Sequence, residues 1–319
     1  MDLREVPNEN RKAYVDAVTA RMAEDGVDME VQYTKVNDYI LFLLKGYPSK
    51  DTNLSGLPYF FQSSGCLEFH ETFGNEEVIT FLVKLNEQLR DTANVSTAVV
   101  KNDSVSLEAD FLAKGEGNEK KQRELDSVNN ANRVFRILIP NVDQSNRLIP
   151  GPVIGMARKE DKIKVDSLFN SITAKQVFPS NLQFMWSDKP DPGTGLYSLY
   201  AIKASSRDSE WILRGDKIEH AEVQQDEQFS GANSVRFQFN KDGARHWANL
   251  TKKNVDKAIA ITFDNKVFSA PIVQSEITGG DCQITGNFTE EEVKMMVILL
   301  NSPSFPGKPR VTSVTKIKN

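Results

Sequence analysis

The spacing of apolar residues predicts a mixture of helix and strand in the amino-terminal quarter of the chain. Residues 8–25 place apolar side chains close to helical spacing. Two runs rich in strand-forming residues follow at 27–33 and 39–44. Residues 66–73 alternate apolar and polar side chains, which is typical of a strand with one buried face. One helix and three strands are therefore expected before residue 75.

A long helix is predicted to begin at Asn75, which we expect to act as its cap. Five apolar residues then fall on one helical face, and these are Val78, Ile79, Leu82, Leu85 and Leu89. Residues 91–131 differ, because their second half, 113–131, is rich in charged residues, Gly and Asn and nearly devoid of large apolar groups. This composition predicts a mobile loop or a frayed helix.

The middle of the chain returns to apolar patterning without a regular alternation of strands and helices. An apolar run covers 134–139, a short helix is expected over 161–170, and strands are expected at 184–186 and 196–202. Parallel α/β proteins repeat a strand–helix–strand unit, and this order does not. The pattern therefore favours a mixed α+β fold.

The last hundred residues give the clearest pattern. Residues 235–239 alternate apolar and polar side chains, and Asn240 is placed to cap a helix that runs to residue 250. The segments 258–263 and 266–270 flank Asp264-Asn265, a pair that tolerates positive φ, so they predict a hairpin. A final helix is expected from Glu290, with Val293, Met296, Val297 and Leu300 on one face.

Residues 275–293 combine three glycines, Cys282 and an acidic helix start, which raises two chemical interpretations. A phosphate-binding loop requires Gly-Lys-Ser/Thr, but Gly286 is followed by Asn287-Phe288. A nucleophilic Cys282 requires a nearby histidine base, and Asp281 beside it is expected to raise the thiol pKa. None of the three histidines, His70, His220 and His246, stands in a catalytic signature.

A structural interpretation accounts for the same residues. Gly279-Gly280 is expected to reverse the chain between two short strands with positive φ, and 283–285 to form the second strand. Thr289 is placed to cap the final helix, and Glu292 completes a capping box with it. We therefore expect this stretch to be architectural.

Composition narrows the classes of function. The formal net charge of -5 and the absence of a Lys/Arg cluster argue against a nucleic-acid partner. Two cysteines, Cys66 and Cys282, are too few for a disulfide framework and lack metal-ligand spacing, so we predict free thiols, no metal and no cofactor. Low cysteine content suits both the cytosol and the bacterial periplasm. No apolar run is long enough to span a membrane, and the polar amino terminus is not a signal peptide, so we expect either a cytosolic protein or an excised soluble piece.

The motifs of the last hundred residues resemble the first periplasmic domain of SecD over residues 211–303. The family order is a "GA(R/K)" helix, a "D(G/N)xVxSAP" hairpin, "I(T/L)GG" and "I(S/T)GNFT" before a helix. This chain carries matching sequence in 240–254, 258–271, 277–280 and 284–289. The motif residues are Gly243, Ala244, Asp264, Ser269, Ala270, Pro271, Gly279, Gly280, Gly286, Asn287, Phe288 and Thr289, and we expect their role to be structural.

The resemblance is thinner upstream. Residues 21–46 are similar to the "NR(V/I)xxxGV … RIxVELPG" pattern of the family's base subdomain, and residues 65–72 to its "ANLEFxET" strand. Residues 141–203 look like the longer form found in fused SecD–SecF proteins of the Bacteroidetes type. The "DLxGG" element of the base is absent, and 302–307 replaces the usual "AGALPAP".

The resemblance implies a ferredoxin-like base subdomain and an α+β head with a mixed or antiparallel sheet. It predicts a partial base at 1–75, a family-variant insertion with return strands at 76–205, the head at 206–307, and at 308–319 a tail towards a membrane helix.

The resemblance also implies a function, which is to bind preprotein on the periplasmic side of the bacterial inner membrane and assist its proton-gradient-driven release from the Sec translocon. The expected partners are unfolded preprotein and, through membrane parts outside this soluble chain, the translocon channel and the SecF half of the complex. The chain is not expected to be an enzyme. Two alternatives remain, a stand-alone periplasmic binding protein of the same fold and a Cys/His hydrolase.

The residues that bind polypeptide are not identified by the motifs. Promiscuous binding of extended chains uses unpaired strand edges and exposed apolar side chains. We expect an open edge among the strands 235–239, 258–263 and 266–270, with Phe263 and Phe268 beside the hairpin turn and at least one of these rings in the core.

Overall fold

The computed structural model describes residues 8–24, 27–33, 40–45, 67–94, 132–204, 212–226, 232–285 and 288–302, with the single residues 6, 61, 63 and 311. The helices are α1 (Arg11–Glu24), α2 (Asn75–Asn94), α3 (Lys159–Phe169), α4 (Ile172–Val177), α5 (Lys241–Lys253) and α6 (Glu290–Asn301). The strands are β1 (Asp28–Tyr33), β2 (Ile40–Lys45), β3 (Leu67–Glu71), β4 (Ile139–Pro140), β5 (Val153–Ala157), β6 (Leu182–Trp186), β7 (Tyr197–Lys203), β8 (Ile212–Arg214), β9 (Ile218–Asp226), β10 (Ala232–Phe239), β11 (Ile259–Phe263), β12 (Lys266–Ser269) and β13 (Asp281–Thr285). Two 3-10 turns cover Asn8–Asn10 and Gly215–Lys217.

The amino-terminal helix packs on a two-stranded hairpin. Strands β1 and β2 pair antiparallel, as the sequence predicts. The face of α1 that turns to the core is buried, and it comprises Tyr14, Val15, Val18 and Met22. Arg21 is buried as well, and its guanidinium donates to the Ser63 carbonyl at 2.7 Å, so the charge is hydrogen-bonded.

The carboxy-terminal part contains two sheets that share one core. The first has the strand order β12-β11-β3-β8, so β3 lies between strands that come much later in the chain. The second has the order β13-β10-β9, and all its pairs are antiparallel. Residues of α5 and α6 contribute to this core, and an aromatic cluster connects the two sheets, with neighbouring ring centroids 5.0–5.9 Å apart among Phe69, Phe237, Phe239 and Trp247.

The second sheet shows the alternation that the sequence predicts. Val235, Phe237 and Phe239 of β10 are buried, whereas Arg236 and Gln238 are exposed. The neighbouring strands follow the same register, with Ala221 and Ile284 on the buried face. The other face is therefore a polar surface that water covers.

A third unit, residues 132–204, packs α2, α3 and α4 on a sheet of order β4-β5-β7-β6. Thr72 beside β3 bridges to Ile202 of β7, and Ser187 beyond β6 bridges to Val267 of β12. Ion pairs join the same parts: Lys203 contacts Glu71 at 3.1 Å and Lys266 contacts Asp188 at 3.0 Å. This unit is thus attached to the β12-β11-β3-β8 sheet at β12 and at the end of β3.

The predicted α+β fold is confirmed, since helices accompany antiparallel sheets throughout the described residues. The predicted elements at 8–25, 161–170, 184–186, 196–202 and 258–270 are found with shifts of a few residues at their ends. Residues 91–94 belong to α2, and 95–131 lie outside the described residues. The division of the chain into base, insertion, head and tail stays a prediction.

Two local predictions were wrong. Asn75 does not cap α2 but is its first helical residue, fully buried, and its side-chain amide donates to the carbonyls of Asn141 and Ile149, each at 3.0 Å. Gly74, not Asn75, is the residue before the helix, and the Gly74 N–H donates to the Glu77 carboxylate at 2.7 Å. The Asn75 side chain is therefore available for the long-range contact. Gly279-Gly280 does not separate two strands of one hairpin, because β13 pairs with the distant β10.

None of the helices in the described residues combines the length and apolar character that crossing a bilayer requires.

Candidate functional site

The described motif residues of the carboxy-terminal part gather around β13 and around the β11–β12 hairpin. Gly279 and Gly280 lead into β13, and Phe288 and Thr289 follow it before α6. Gly286 and Asn287 lie outside the described residues. The capping box at α6 is present as predicted, with Thr289 Oγ1 accepting from the Glu292 N–H and the Glu292 carboxylate accepting from the Thr289 N–H.

Gly280, Gly243 and Ala244 form a close contact between β13 and α5. Gly280 has φ +71°, and a Cβ there would lie 2.8 Å from Cβ of Ala244. A Cβ on Gly243 would lie 2.7 Å from Cβ of Lys217. Protein atoms already occupy the space in which a side chain at either glycine would lie, so the role of these glycines is to let the helix approach the sheet. The geometry leaves no space at Gly280 for a phosphate.

The hairpin motif fixes the turn between β11 and β12. Asp264 and Asn265 both have positive φ, at 49° and 64°. The Asp264 carboxylate also accepts a hydrogen bond from the Ser63 hydroxyl. Ser269 is the last residue of β12, Ala270 packs against a small buried cluster, and the Pro271 carbonyl accepts from the Ile259 N–H at 3.1 Å.

The outer edge of β13 is the feature that could bind another chain. The Phe239 N–H donates to the Gly280 carbonyl, so the odd-numbered residues of β10 point their backbone groups at β13. Backbone groups alternate in direction along a strand. Those of Cys282 and Ile284 therefore face β10, whereas those of Asp281, Gln283 and Thr285 face outward, away from β10. These three outward residues are exposed, and no further strand in the described residues pairs with β13.

An aromatic chain lies at the end of this edge. The ring of Phe288 is 6.1 Å from that of Phe268, which is 5.9 Å from that of Phe263. Phe263 is in the core, as expected for at least one of the pair, whereas Phe268 and Phe288 are half-buried. Asn233 holds the Phe288 backbone by donating to its carbonyl at 3.3 Å. Apolar surface therefore adjoins unpaired backbone groups.

Of the three strands that the sequence suggested for this role, β12 is the one at the end of its sheet. Strands β10 and β11 are both paired on two sides. The outer edge of β12 is covered at Val267, whose carbonyl accepts from the Asp188 N–H at 2.9 Å. Periodicity identifies a strand but not its neighbours in the sheet. The polar alternation of 281, 283 and 285 was the available signal for β13.

The far edge of the same sheet is covered by a side chain. The amide of Asn301, at the end of α6, accepts from the Ala221 N–H at 2.8 Å and donates to the Ala221 carbonyl at 3.0 Å. This pair of bonds imitates a neighbouring strand at the middle of β9. Sequence alone gave no sign of it, because 80 residues separate the two partners.

The surroundings of Cys282 disagree with a hydrolase. Burial, and then the adjacent Asp281 carboxylate, raises the pKa of the thiol to about 12. Cys282 shares the buried face of the sheet with Phe237, and His220 lies on the opposite face. His70 and His246 belong to β3 and α5. Within the described ranges, no group of three or more His, Cys, Asp or Glu residues is placed to hold a metal ion. Cys66 lies outside those ranges.

Comparison with known proteins agrees with the motifs. Residues 200–307 match the family model of the SecDF P1 head subdomain. This part of the chain is therefore similar to the SecDF P1 head subdomain. The protein translocase subunit SecD of Rhodothermus marinus is 33% identical over 161 residues, which are 49% of this chain and 25% of that protein. The SecD subunit of Acidaminococcus fermentans is 43% identical over 100 residues, covering 31% of this chain and 24% of that protein.

The chain spans about a quarter of the length of these relatives. A solved structure of the membrane component SecDF that enhances protein export aligns with 99% of this chain and 97% of its own, at 16% identity and a TM-score of 0.46. A TM-score and an identity this low support no argument about this chain. The proteins that residues 200–307 resemble are subunits of the protein translocase.

Proposed function

We propose that this chain binds extended preprotein as the periplasmic part of a SecD or SecDF translocase subunit. The observation that carries the proposal is the open edge of β13 beside Phe268 and Phe288. Backbone pairing at a strand edge does not depend on the side chains of the partner, which is the property that a transporter of many different proteins requires. The match of residues 200–307 to the SecDF head supports this setting.

The full protein would place this domain outside the bacterial inner membrane. The relatives are about four times as long as the matching region, so membrane helices have room in the remaining sequence. In this proposal those helices use the proton gradient, the SecF half and the translocon channel are their partners, and the described domain holds the emerging chain. Movement of the domain then favours release on the outer side.

Binding at the β13 edge is expected to be weak and tolerant of sequence, with a dissociation constant in the micromolar range or above, since only a few backbone bonds form. The test titrates an unfolded preprotein segment into the isotope-labelled chain and follows backbone amide shifts. The largest shifts are expected at Asp281, Gln283 and Thr285, without added ATP or metal.

One substitution distinguishes backbone pairing at the strand edge from nonspecific binding. Gln283→Pro removes an outward N–H without removing a backbone bond to β10, and proline is tolerated at such edge positions. It also removes the bond from Gln283 Nε2 to Ser234 Oγ of β10 at 2.8 Å, which the threonine control below removes as well. We expect this variant to lose most of the binding. The matched control Gln283→Thr keeps the N–H and should bind as before, as should Cys282→Ser, whose backbone pairs inward. Shifts confined to residues 1–200, or binding that requires a nucleotide, contradict the proposal.

A further inference from the structure

A second strand edge lies in the unit 132–204, away from the head motifs. Strand β6 is the last strand of its sheet, and a groove of about 490 Å³ runs beside its first half. The groove is lined by Leu182, Gln183 and Phe184 of β6 and by residues from the end of α3 to the segment after α4. The latter are Phe169, Asn170, Lys175, Phe178, Pro179 and Ser180.

The backbone of β6 presents unpaired groups to this groove at Phe184, whereas the Leu182 N–H donates to the Pro179 carbonyl at 3.0 Å. The Ser187 N–H donates to the Ser198 carbonyl, and the Ala204 N–H donates to the Asn181 carbonyl, so odd-numbered residues point at β7. Even-numbered residues, including Phe184, therefore direct their N–H and C=O away from the sheet. No strand of the described residues pairs with β6 along 182–185.

The edge ends where the head begins. Ser187, just past β6, forms a parallel bridge with Val267 of β12. A strand added to β6 can therefore extend only along residues 182–185. The added segment would end beside β12, which lies within residues 200–307.

Three aromatic rings form the wall of the groove. Phe169, Phe178 and Phe184 contact one another with centroids 4.6–5.2 Å apart. Phe169 is buried, whereas Phe178 and Phe184 are half-buried. Rings that touch each other and still border open volume offer an edge and a face to an incoming apolar or aromatic side chain.

The charge of the groove restricts the occupant further. Lys175 is the one charged residue of the lining, and its side chain is exposed. Across the described parts of the chain, no carboxylate lies within 4.0 Å of its amine. A carboxylate on the bound segment would meet this ammonium group, whereas a lysine or arginine there would be repelled.

We propose that this groove is a second docking site, for an extended acidic–apolar polypeptide segment that adds a strand to β6. A large apolar side chain of the segment fills the space beside Phe178 and Phe184, and an adjacent carboxylate contacts Lys175. The inference relies on the proposed function for the class of partner, but it uses a surface that the head motifs do not include. It also assigns a role to part of the chain outside the matched head.

The experiment uses the whole 319-residue chain and a capped peptide in which valine and phenylalanine alternate with serine and one glutamate. Hydrogen exchange at the Phe184 N–H should slow when the peptide binds, because that group becomes hydrogen-bonded. Replacing the peptide's glutamate by lysine should weaken binding about fivefold or more. Lys175→Glu should reverse this preference, and the matched reversal Lys159→Glu, outside the groove, should leave it unchanged.

Two peptides N-methylated on alternate residues test the strand geometry. In an added strand only every second N–H faces β6, so one N-methyl set should abolish binding and the other should preserve it. Equal effects of both sets, or an unchanged Phe184 exchange rate, overturn the proposal.

The head provides the means to separate this proposal from the first. Gln283→Pro should leave protection at Phe184 intact. Protection at β13 without protection at β6 would retain the proposed function and reject the second site. The reverse result would retain the second site and reject the β13 edge.

Discussion

Gly280 combines a backbone conformation and a contact that a larger residue cannot satisfy together. Its φ of +71° lies in the left-handed region, and its α-carbon faces Cβ of Ala244. A β-branched side chain is strained at that φ and also displaces α5. We expect Gly280→Val to lower the free energy of unfolding by about 1–3 kcal/mol, measured by urea denaturation.

Gly279 is the natural comparison for that substitution. It has no positive φ, and a Cβ there meets nothing within 4 Å. Gly279→Ala should therefore change stability by less than about 0.5 kcal/mol. Equal losses at the two positions would show that the conformation of Gly280 is not the cause.

The thiol of Cys282 provides a prediction about pH. Its pKa is raised to about 12, first by burial and then by Asp281. Iodoacetamide reacts with the thiolate, so at pH 8 the native thiol should react at least ~100-fold more slowly than the same thiol in urea. Because the folded pKa is raised, the native rate should keep rising from pH 8 to pH 11 without a plateau.

The measurement requires a Cys66→Ser chain, so that one thiol reports. Mass spectrometry of the alkylated product gives the rate. In the unmodified chain, both cysteines should titrate as free thiols after denaturation. A native rate that matches the rate in urea, or a disulfide between Cys66 and Cys282, would contradict the assignment of Cys282 as a core residue.

At the scale of elements, the Asn301 amide decides how the β9 edge is covered. It makes two bonds with the backbone of Ala221, a residue that is 1% exposed. Asn301→Ala leaves both backbone groups without this partner, and we expect a loss of about 1–3 kcal/mol in unfolding free energy. Asn301→Asp keeps one acceptor but places a carboxylate oxygen against the Ala221 carbonyl, so it should be destabilising as well. Thermal and urea unfolding of the two variants provide the measurement.

Sequence patterns predicted individual elements better than their arrangement. β10 was predictable because Val235, Phe237 and Phe239 alternate with polar residues, and that alternation directly reflects one buried face. The turn at Asp264-Asn265 was predictable because positive φ restricts residue choice. Both signals are local, so a short window of sequence contains them.

Pairing between distant segments was not predictable in this way. The position of β3 between β11 and β8 depends on contacts across more than a hundred residues, and nothing in residues 67–71 specifies which strands will be neighbours. Asn75 shows the same limit, because its local role as a cap gave way to two bonds with the loop at 141–149. The candidate edge at β13 was missed for this reason too.

At the scale of the whole molecule, Lys203 and Glu71 join the 132–204 unit to β3. Their side chains are 29% and 6% exposed, and the second oxygen of Glu71 is buried without a hydrogen-bond partner in the described residues. Lys203→Met keeps the apolar stem and leaves a buried carboxylate unpaired. We expect a loss on the order of 3 kcal/mol in unfolding free energy. Adding Glu71→Gln should recover part of it, which a double-mutant cycle measures.

Lys189 supplies the control for that prediction. It also connects the two parts, through Glu292 at 2.6 Å, but the side chains are 42% and 38% exposed. Exposed pairs are screened by water and salt, so Lys189→Met should cost less than about 1 kcal/mol. If Lys189→Met proved as harmful as Lys203→Met, burial would not be the property that distinguishes the two pairs.

The position of β3 has a consequence for the time at which the molecule can assemble. Both neighbours of β3 lie beyond residue 211, so about 140 residues must be synthesised after Glu71 before the first of them exists. At roughly 5–20 residues per second, Leu67 and Phe69 wait on the order of ten seconds or more for the surfaces that bury them. An inner strand of the sheet is therefore synthesised long before either of the strands that cover its two edges.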